Sequence, residues 1–196
     1  AQGGDVVERN LAFLRAIGVE TKDAEVSLSV SEGARLEAAR YLESRVQRPK
    51  GDGMLIGVDL DPGDGRRGWS PRALAAISRA VEGLLRAKFL IFHPPLGRGA
   101  DLLRRSLGKS PLLLSGLTPN QAAAAISLCG LFITRKSDLF PIAYGLGVPT
   151  VLVLSAREAS FFSPPDRDRL RIVVVRREGL VPVREVSGLA RELTGP

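Results

Sequence analysis

The chain has 196 residues, enough for one good-sized domain or two small ones with a core that needs no metal or disulfide staple. Its single cysteine, Cys129, excludes an internal disulfide framework and fits a reducing compartment, and its alanine-rich apolar surroundings predict that it is buried. The net charge of +7 favours an acidic partner, but only 5% of the residues are aromatic, so nucleic acid is not expected as a partner.

The chain shows no feature of a membrane-inserted or exported protein. No apolar stretch reaches the ~20 residues that a membrane-spanning helix needs, and no signal-peptide pattern is present. We therefore expect a cytoplasmic location. The excess of positive charge is compatible with a solvated basic surface or with peripheral attachment to the anionic inner face of a membrane. Because the chain begins Ala-Gln-Gly-Gly rather than with Met, we expect a processed product or a piece of a longer protein.

Residues 1–50 are predicted to form a helical lead-in from a missing N-terminal domain, plus an additional helix. Asp5 can cap a first helix that runs to Ile17 and ends at Gly18. Its predicted apolar stripe consists of Val6, Leu11, Leu14 and Ile17. A short strand is predicted at 25–28. Ser29 stands three residues before Glu32, a capping-box spacing that predicts a second helix to about residue 46.

Residues 51–196 alternate between short apolar runs and helical segments. Strands are predicted at 54–59, 88–92, 112–114, 131–134, 150–154 and 171–175. Helices are predicted from Ser70-Pro71 to Ala87, over 100–107, from the capping residue Thr118 to Leu128, over 139–146 with Gly147 as cap, and over 183–193. This alternation predicts an α/β fold, a doubly wound parallel sheet of about six strands.

The first candidate site is the polar loop that follows the fourth predicted strand. Arg135, Lys136, Ser137 and Asp138 stand between that strand and a short helix. Free N–H groups at a helix start, together with two cations, are typical of an anion site at the carboxyl edge of such a sheet.

The second candidate site is the loop from Asp61 to Trp69. It contains G-x-G-x-x-G at Gly63, Gly65 and Gly68, but Ser70-Pro71 starts the helix beyond all three glycines and no acidic residue ends the next strand. Nicotinamide and flavin are therefore disfavoured, whereas Arg66 and Arg67 before a helix still suit a phosphate.

Other motifs give weaker signals. Asp64 and Ser70 occupy the positions where a calcium loop needs Gly and Glu. Gly108-Lys109-Ser110 follows a predicted helix rather than a strand, which excludes a P-loop. His93, the only histidine, closes the second predicted strand and is either a ligand contact or an ordinary loop residue.

Four stretches together resemble the C-terminal half of the lipopolysaccharide heptosyltransferase family, glycosyltransferase family nine. Residues 7–14 are similar to its VERNLALL helix, and Ile56 to Pro71 resembles its first C-domain strand with a P-G…K-x-W-P loop. Residues 115–118 resemble its L-x-G-x-T-s turn. Residues 131–154 are similar to its V-G-N-D-S-G-x-x-H-x-A-A-A-L-G-x-P-T segment. The likeness spans nearly the whole chain.

The resemblance implies a GT-B glycosyltransferase, in which two Rossmann-like domains face each other. Residues 51–196 would be the Rossmann-like domain that binds a nucleoside diphosphate sugar, and the missing N-terminal domain would bind the acceptor and supply the catalytic base. No metal or other cofactor is implied, and no catalytic residue is expected in this chain. The expected donor-binding residues are Gly63, Arg67, Trp69, His93, Thr118, Lys136, Ser137 and Asp138.

The chain departs from the family pattern in the donor loop. Arg135-Lys136 replace Asn-Asp, Asp138 replaces Gly and Pro141 replaces His. Two functions therefore stay open: a nucleotide-sugar-binding domain of a heptosyltransferase-like enzyme acting on a glycan or lipopolysaccharide-type acceptor, or a non-catalytic homologue kept for binding or scaffolding. For Lys136 the alternatives are a more anionic donor or a pairing with Asp138 that closes the site.

Overall fold

A computed structural model describes residues 6–19, 26–45, 53–60, 75–81, 87–93, 111–160, 162, 168–175 and 182–194. The strands are β1 (Leu55–Asp59), β2 (Lys88–His93), β3 (Leu112–Ser115), β4 (Leu131–Arg135), β5 (Thr150–Ser155) and β6 (Leu170–Val175). The helices are α1 (Val6–Ala16), α2 (Glu32–Arg45), α3 (75–81), α4 (Pro119–Ile126), α5 (Leu139–Gly145), α6 (Ala156–Ala159) and α7 (Val183–Thr194).

The six strands form one parallel sheet in the order β3-β2-β1-β4-β5-β6. From β1 the chain builds outward through β2 and β3, and then returns to place β4 on the other side of β1. The switch point of the sheet therefore lies between β1 and β4, where sheets of this kind bind ligands beyond the carboxyl ends of their strands. This confirms the predicted Rossmann-like, doubly wound parallel sheet.

Helices cover both faces of the sheet, which is why its central strands are apolar almost throughout. One face packs against α3 and α7, which contribute Ile77, Val81, Val186 and Ala190 to the core. The other face packs against α2, α4 and α5, through Leu42, Ile126 and Ala143 among others. Within the described ranges, no helix is long and apolar enough to cross a membrane.

The core on the α4 side depends on a glycine in the central strand. A Cβ on Gly57 would lie 2.7 Å from Cε2 of Phe132 and 3.1 Å from Sγ of Cys129. The Phe132 ring itself packs edge-on against Phe92, with ring centroids 5.5 Å apart. Cys129 is buried, as predicted, and burial raises the pKa of its thiol to about 12. This thiol is therefore a packing element.

The segment that precedes α2 differs from the prediction. Residues 26–28 are not in a strand, so the strand predicted at 25–28 is wrong for its described part. Instead, the Leu28 N–H donates to the Gly145 carbonyl at the end of α5, at 2.6 Å. At the start of α2, the Ala34 N–H donates to Ser31 Oγ at 3.3 Å. The residue that caps this helix is therefore Ser31 and not Ser29.

Other element boundaries are close to the predicted ones. Gly18 and Gly147, with φ of +83° and +70°, follow α1 and α5 as expected of helix-terminating glycines. Ile17 was predicted to belong to an apolar stripe but is 59% exposed, and Ala87 lies outside α3, directly before β2. The helix predicted at 100–107 and the predicted helix start at Ser70-Pro71 lie outside the described residues. The short helix α6 was not predicted.

Candidate functional site

A hydrogen-bonded chain of polar side chains lies at the switch point. Asp59, the last residue of β1, is only 4% exposed, and Thr134 in the adjacent β4 is fully buried. Thr134 Oγ1 lies 3.0 Å from Asp59 Oδ2 and 3.2 Å from Ser137 Oγ. The Leu139 N–H donates to Ser137 Oγ at 3.2 Å. Thr134 Oγ1 also lies 2.9 Å from the Arg135 carbonyl, so its one proton is shared between that carbonyl and the Asp59 carboxyl while its lone pairs can accept from Ser137.

This network fixes the loop after β4 to the end of β1. One of its acceptors is the buried carboxyl group of Asp59, and burial of a polar group is costly unless that group is hydrogen-bonded. Ser137 is thus a structural member of the loop as well as a predicted donor contact. Asp59 and Thr134 were not predicted as site residues. Their signal was a polar residue at the end of an otherwise apolar strand.

The outer side of the same loop is charged. Arg135 is half-buried, whereas Lys136 and Asp138 are exposed. Asp138 occupies the N-cap position of α5 but makes no side-chain capping bond. Within the described part of the chain, no ion pair joins Lys136 to Asp138, so the pairing considered for Lys136 is absent. The loop therefore presents two cations that Asp138 does not neutralise by contact.

A carboxylate on α6, the helix that follows the next strand, interacts electrostatically with these cations. Ser155, at the end of β5, donates from its N–H and its hydroxyl to Glu158 Oε2, at 2.8 and 2.6 Å, while the Glu158 N–H donates to Ser155 Oγ at 3.2 Å. Partial burial alone would raise the pKa of Glu158, but the Ser155 hydrogen bonds and the charges of Arg135 and Lys136 outweigh it and lower that pKa. Glu158 is therefore ionised at neutral pH. It was not predicted, although Ser155-Ala-Arg-Glu158 has capping-box spacing.

Thr118 has the role in helix capping that its spacing predicted. Its hydroxyl accepts from the Gln121 N–H at 3.3 Å, and its own N–H donates to Gln121 Oε1 at 3.0 Å. It follows β3, which lies three strands away from β4, a distance of ~14 Å at ~4.8 Å per strand. A single ligand that touched both Thr118 and the loop at 135–138 would have to span that distance.

The other predicted contacts are only partly described. His93 is the last residue of β2 and pairs with Ser115, which places its backbone at the same carboxyl edge of the sheet. Gly63, Arg67 and Trp69 lie outside the described residues. Among the described ranges, no group of three or more His, Cys, Asp or Glu residues could hold a metal ion.

A groove of about 410 Å³ lies between α2 and α4, beside the end of β3. Its walls are mainly apolar, and its residues are Ala34, Glu37, Ala38, Tyr41, Leu42, Leu114, Gly116, Leu117, Asn120, Gln121, Ala124 and Ala125. No lysine or arginine lines it, so it suits a neutral or apolar group better than a phosphate. The cations at the end of β4 remain the better anion site.

Comparisons with known proteins identify the fold. The sequence matches no protein-family model and no curated protein at a significant level. Among solved structures, a glycosyl transferase family 9 protein from Veillonella parvula matches with a TM-score of 0.68 and 17% identity, over 89% of this chain and 50% of that chain. The E. coli ADP-heptose lps heptosyltransferase II matches with a TM-score of 0.68 and 18% identity, over 86% of this chain and 53% of that chain.

A third structure is the E. coli heptosyltransferase WaaC with ADP-2-deoxy-2-fluoro heptose, with a TM-score of 0.54, 13% identity, and coverage of 91% of this chain and 51% of that chain. The chain thus spans about half the length of each of these structures. Identities this low establish a common fold, which agrees with the resemblance seen in the sequence motifs. The chain therefore has the fold of one half of the family 9 glycosyltransferases, an α/β Rossmann-like unit of the GT-B type.

Proposed function

We propose that this chain is the nucleotide-sugar-binding domain of a heptosyltransferase-like glycosyltransferase that acts on a glycan or lipopolysaccharide-type acceptor. The observation that carries the proposal is the cationic loop at the β1–β4 switch point. Arg135 and Lys136 stand there on a backbone held by the Asp59–Thr134–Ser137 network. The solved neighbour that contains an ADP-2-deoxy-2-fluoro heptose supports a nucleoside diphosphate sugar as the ligand.

In this proposal the chain holds the donor and stabilises the leaving diphosphate. Negative charge builds up on the diphosphate as the bond to the sugar breaks, and preorganised cations lower the energy of that state. Arg135, Lys136 and Arg67 would supply these cations, with Gly63, Trp69, His93, Thr118, Ser137 and Asp138 as further donor contacts. A separate N-terminal domain would bind the acceptor and supply the base, so this chain alone is not expected to turn over.

The net charge of +7 is the basis of a second part of the proposal, which concerns the location of the protein in the cell. We propose that the cytoplasmic protein attaches loosely to an anionic membrane face, where a lipid-linked acceptor would lie. Cosedimentation with liposomes should then increase when anionic lipid replaces neutral lipid. Equal cosedimentation with both would exclude this attachment.

Titration calorimetry tests the donor site directly. The chain should bind ADP or UDP, or their sugar conjugates, and Arg67→Glu should weaken that binding about tenfold or more, since charge-assisted hydrogen bonds contribute ~1.5–3 kcal/mol. Arg191→Glu is a matched control, because Arg191 is exposed in the last turn of α7, next to Glu192, which approaches Arg171 at the start of β6 and thus at the amino edge of the sheet. Unchanged affinity in the Arg67 variant, or no binding of any of these nucleotides, would contradict the proposal.

The alternative function is that of a non-catalytic homologue whose donor loop serves binding or scaffolding. The presence of Lys136 and Pro141, where the family that the sequence resembles has an acid and a histidine, favours it. Restoring both with K136D and P141H should raise the affinity for an ADP-sugar if the site has merely drifted. If the parent binds tightly and the double variant binds no better, the site is specialised for a different ligand.

A further inference from the structure

The pairing of β5 with β4 places α6, which carries Glu158, at the same edge of the sheet as the proposed donor loop. Arg135, at the end of β4, pairs with Val153 in β5, and Ser155 follows two residues later at the same edge. Ser155 holds the Glu158 carboxylate through two hydrogen bonds of 2.8 and 2.6 Å to one oxygen. The carboxylate is therefore fixed in place at the end of β5, and β5 adjoins β4, the strand that ends at Arg135.

The charge of Glu158 acts on the loop without contact. Neither Arg135 nor Lys136 forms an ion pair with it in the described part of the chain, yet both charges contribute to lowering its pKa. Electrostatic interaction is reciprocal, so the Glu158 carboxylate reduces the positive potential that a bound anion would feel at Arg135 and Lys136. A more negative ligand loses more from this reduction than a less negative one.

The donor and the product of sugar transfer differ in charge. When the sugar C1–O bond breaks, its electron pair stays on the diphosphate oxygen, while a new bond forms to the acceptor oxygen and the acceptor proton goes to the base. The diphosphate of the donor carries about two negative charges, and the free nucleoside diphosphate carries about three above pH ~6, because its terminal phosphate then ionises a second time. The product is thus the more anionic ligand.

We propose that Glu158 is a specificity-determining residue that weakens the binding of the nucleoside diphosphate relative to its sugar conjugate and so favours product release. This inference rests on the proposed function. The extra charge of the product would lie close to a carboxylate that is already held in place. One additional unit charge at ~8 Å in an effective dielectric of ~40 corresponds to a roughly three- to tenfold difference in affinity.

The variant Glu158→Gln separates the effect of the negative charge from the effect of the capping hydrogen bonds. Glutamine at the same capping position can still accept the hydrogen bonds from Ser155, so α6 is preserved while the negative charge is removed. The control is Glu185→Gln, because Glu185 is exposed on α7, which packs on the opposite sheet face, and its loss changes the net charge equally. Equal melting temperatures of the parent and Glu158→Gln would show that the fold is intact.

The measurement is the ratio of dissociation constants for ADP-glucose and ADP, and for UDP-glucose and UDP, at pH 8 and low ionic strength. Glu158→Gln should shift this ratio about three- to tenfold in favour of the free diphosphate, and Glu185→Gln should leave it unchanged. An unchanged ratio in Glu158→Gln would overturn the inference and leave the proposed function standing. Absence of binding of all four probes to the parent chain would overturn both.

Discussion

Replacing Thr134 with Val tests whether the Asp59–Thr134–Ser137 network supports the candidate site. Valine keeps the branched shape of this fully buried residue but removes the hydroxyl that lies 3.0 Å from Asp59 Oδ2. The variant loses the hydrogen bonds to Asp59 and to Ser137, at ~0.5–1.5 kcal/mol each, or ~1–3 kcal/mol together. Since ~1 kcal/mol shifts the melting temperature of a chain of this size by ~2–4 °C, we expect a decrease of ~2–12 °C.

Thr150→Val is the matched control in the neighbouring strand. Thr150 is equally buried, but its hydroxyl donates to the neutral carbonyl of Val148, at 2.8 Å. Its loss should cost only ~0.5–1.5 kcal/mol in urea unfolding. The reasoning would be refuted if Thr134→Val cost no more than Thr150→Val. Hydrogen exchange gives a second measurement, because the Leu139 amide, bonded to Ser137, should exchange faster only in the Thr134 variant.

Three further properties can be measured on the same chain. Gly57→Ala should destabilise the fold by ~1–3 kcal/mol in urea unfolding, because the new Cβ would overlap the Phe132 ring. Gly188→Ala on α7, where the added Cβ meets open space, should instead stabilise the fold by up to ~1 kcal/mol in the same assay. Cys129, buried and with a thiol pKa of about 12, should resist a thiol reagent at pH 8 in the native state and react in urea; modification of the native protein at the unfolded rate would contradict this. Because the pKa of Glu158 is lowered in the folded state, its contribution to stability is present above its ordinary value of 4.5 and lost as the pH falls through the lower value, so Glu158→Gln should lose less stability than the parent in acid unfolding.

Local sequence signals were sufficient for the sheet and most of its helices. The apolar runs predicted the cores of all six strands, and the Thr118 capping box predicted the start of α4. Local signals failed where a tertiary contact decides the structure. Residues 26–28 have a strand-like composition, but the Leu28 amide finds its acceptor at Gly145, on a helix, so no strand forms.

The candidate site was only half predictable for the same reason. The polar loop at 135–138 is contiguous in sequence and could be recognised from its composition and its place after a strand. Asp59 and Thr134 stand 75 residues apart, and only the pairing of β1 with β4 brings them together. The interaction of Glu158 with Lys136 likewise depends on β5 lying next to β4.

The hydrogen bonds beneath the loop after β4 give its backbone and its exposed side chains different roles. Its backbone is anchored inward through Ser137, while the side chains of Lys136 and Asp138 point to solvent and support no element of the fold. Substitutions at these two positions should therefore have little effect on folding, so the charge of the candidate site can change while the scaffold persists. A chain built in this way can acquire a new ligand preference without first losing its stability.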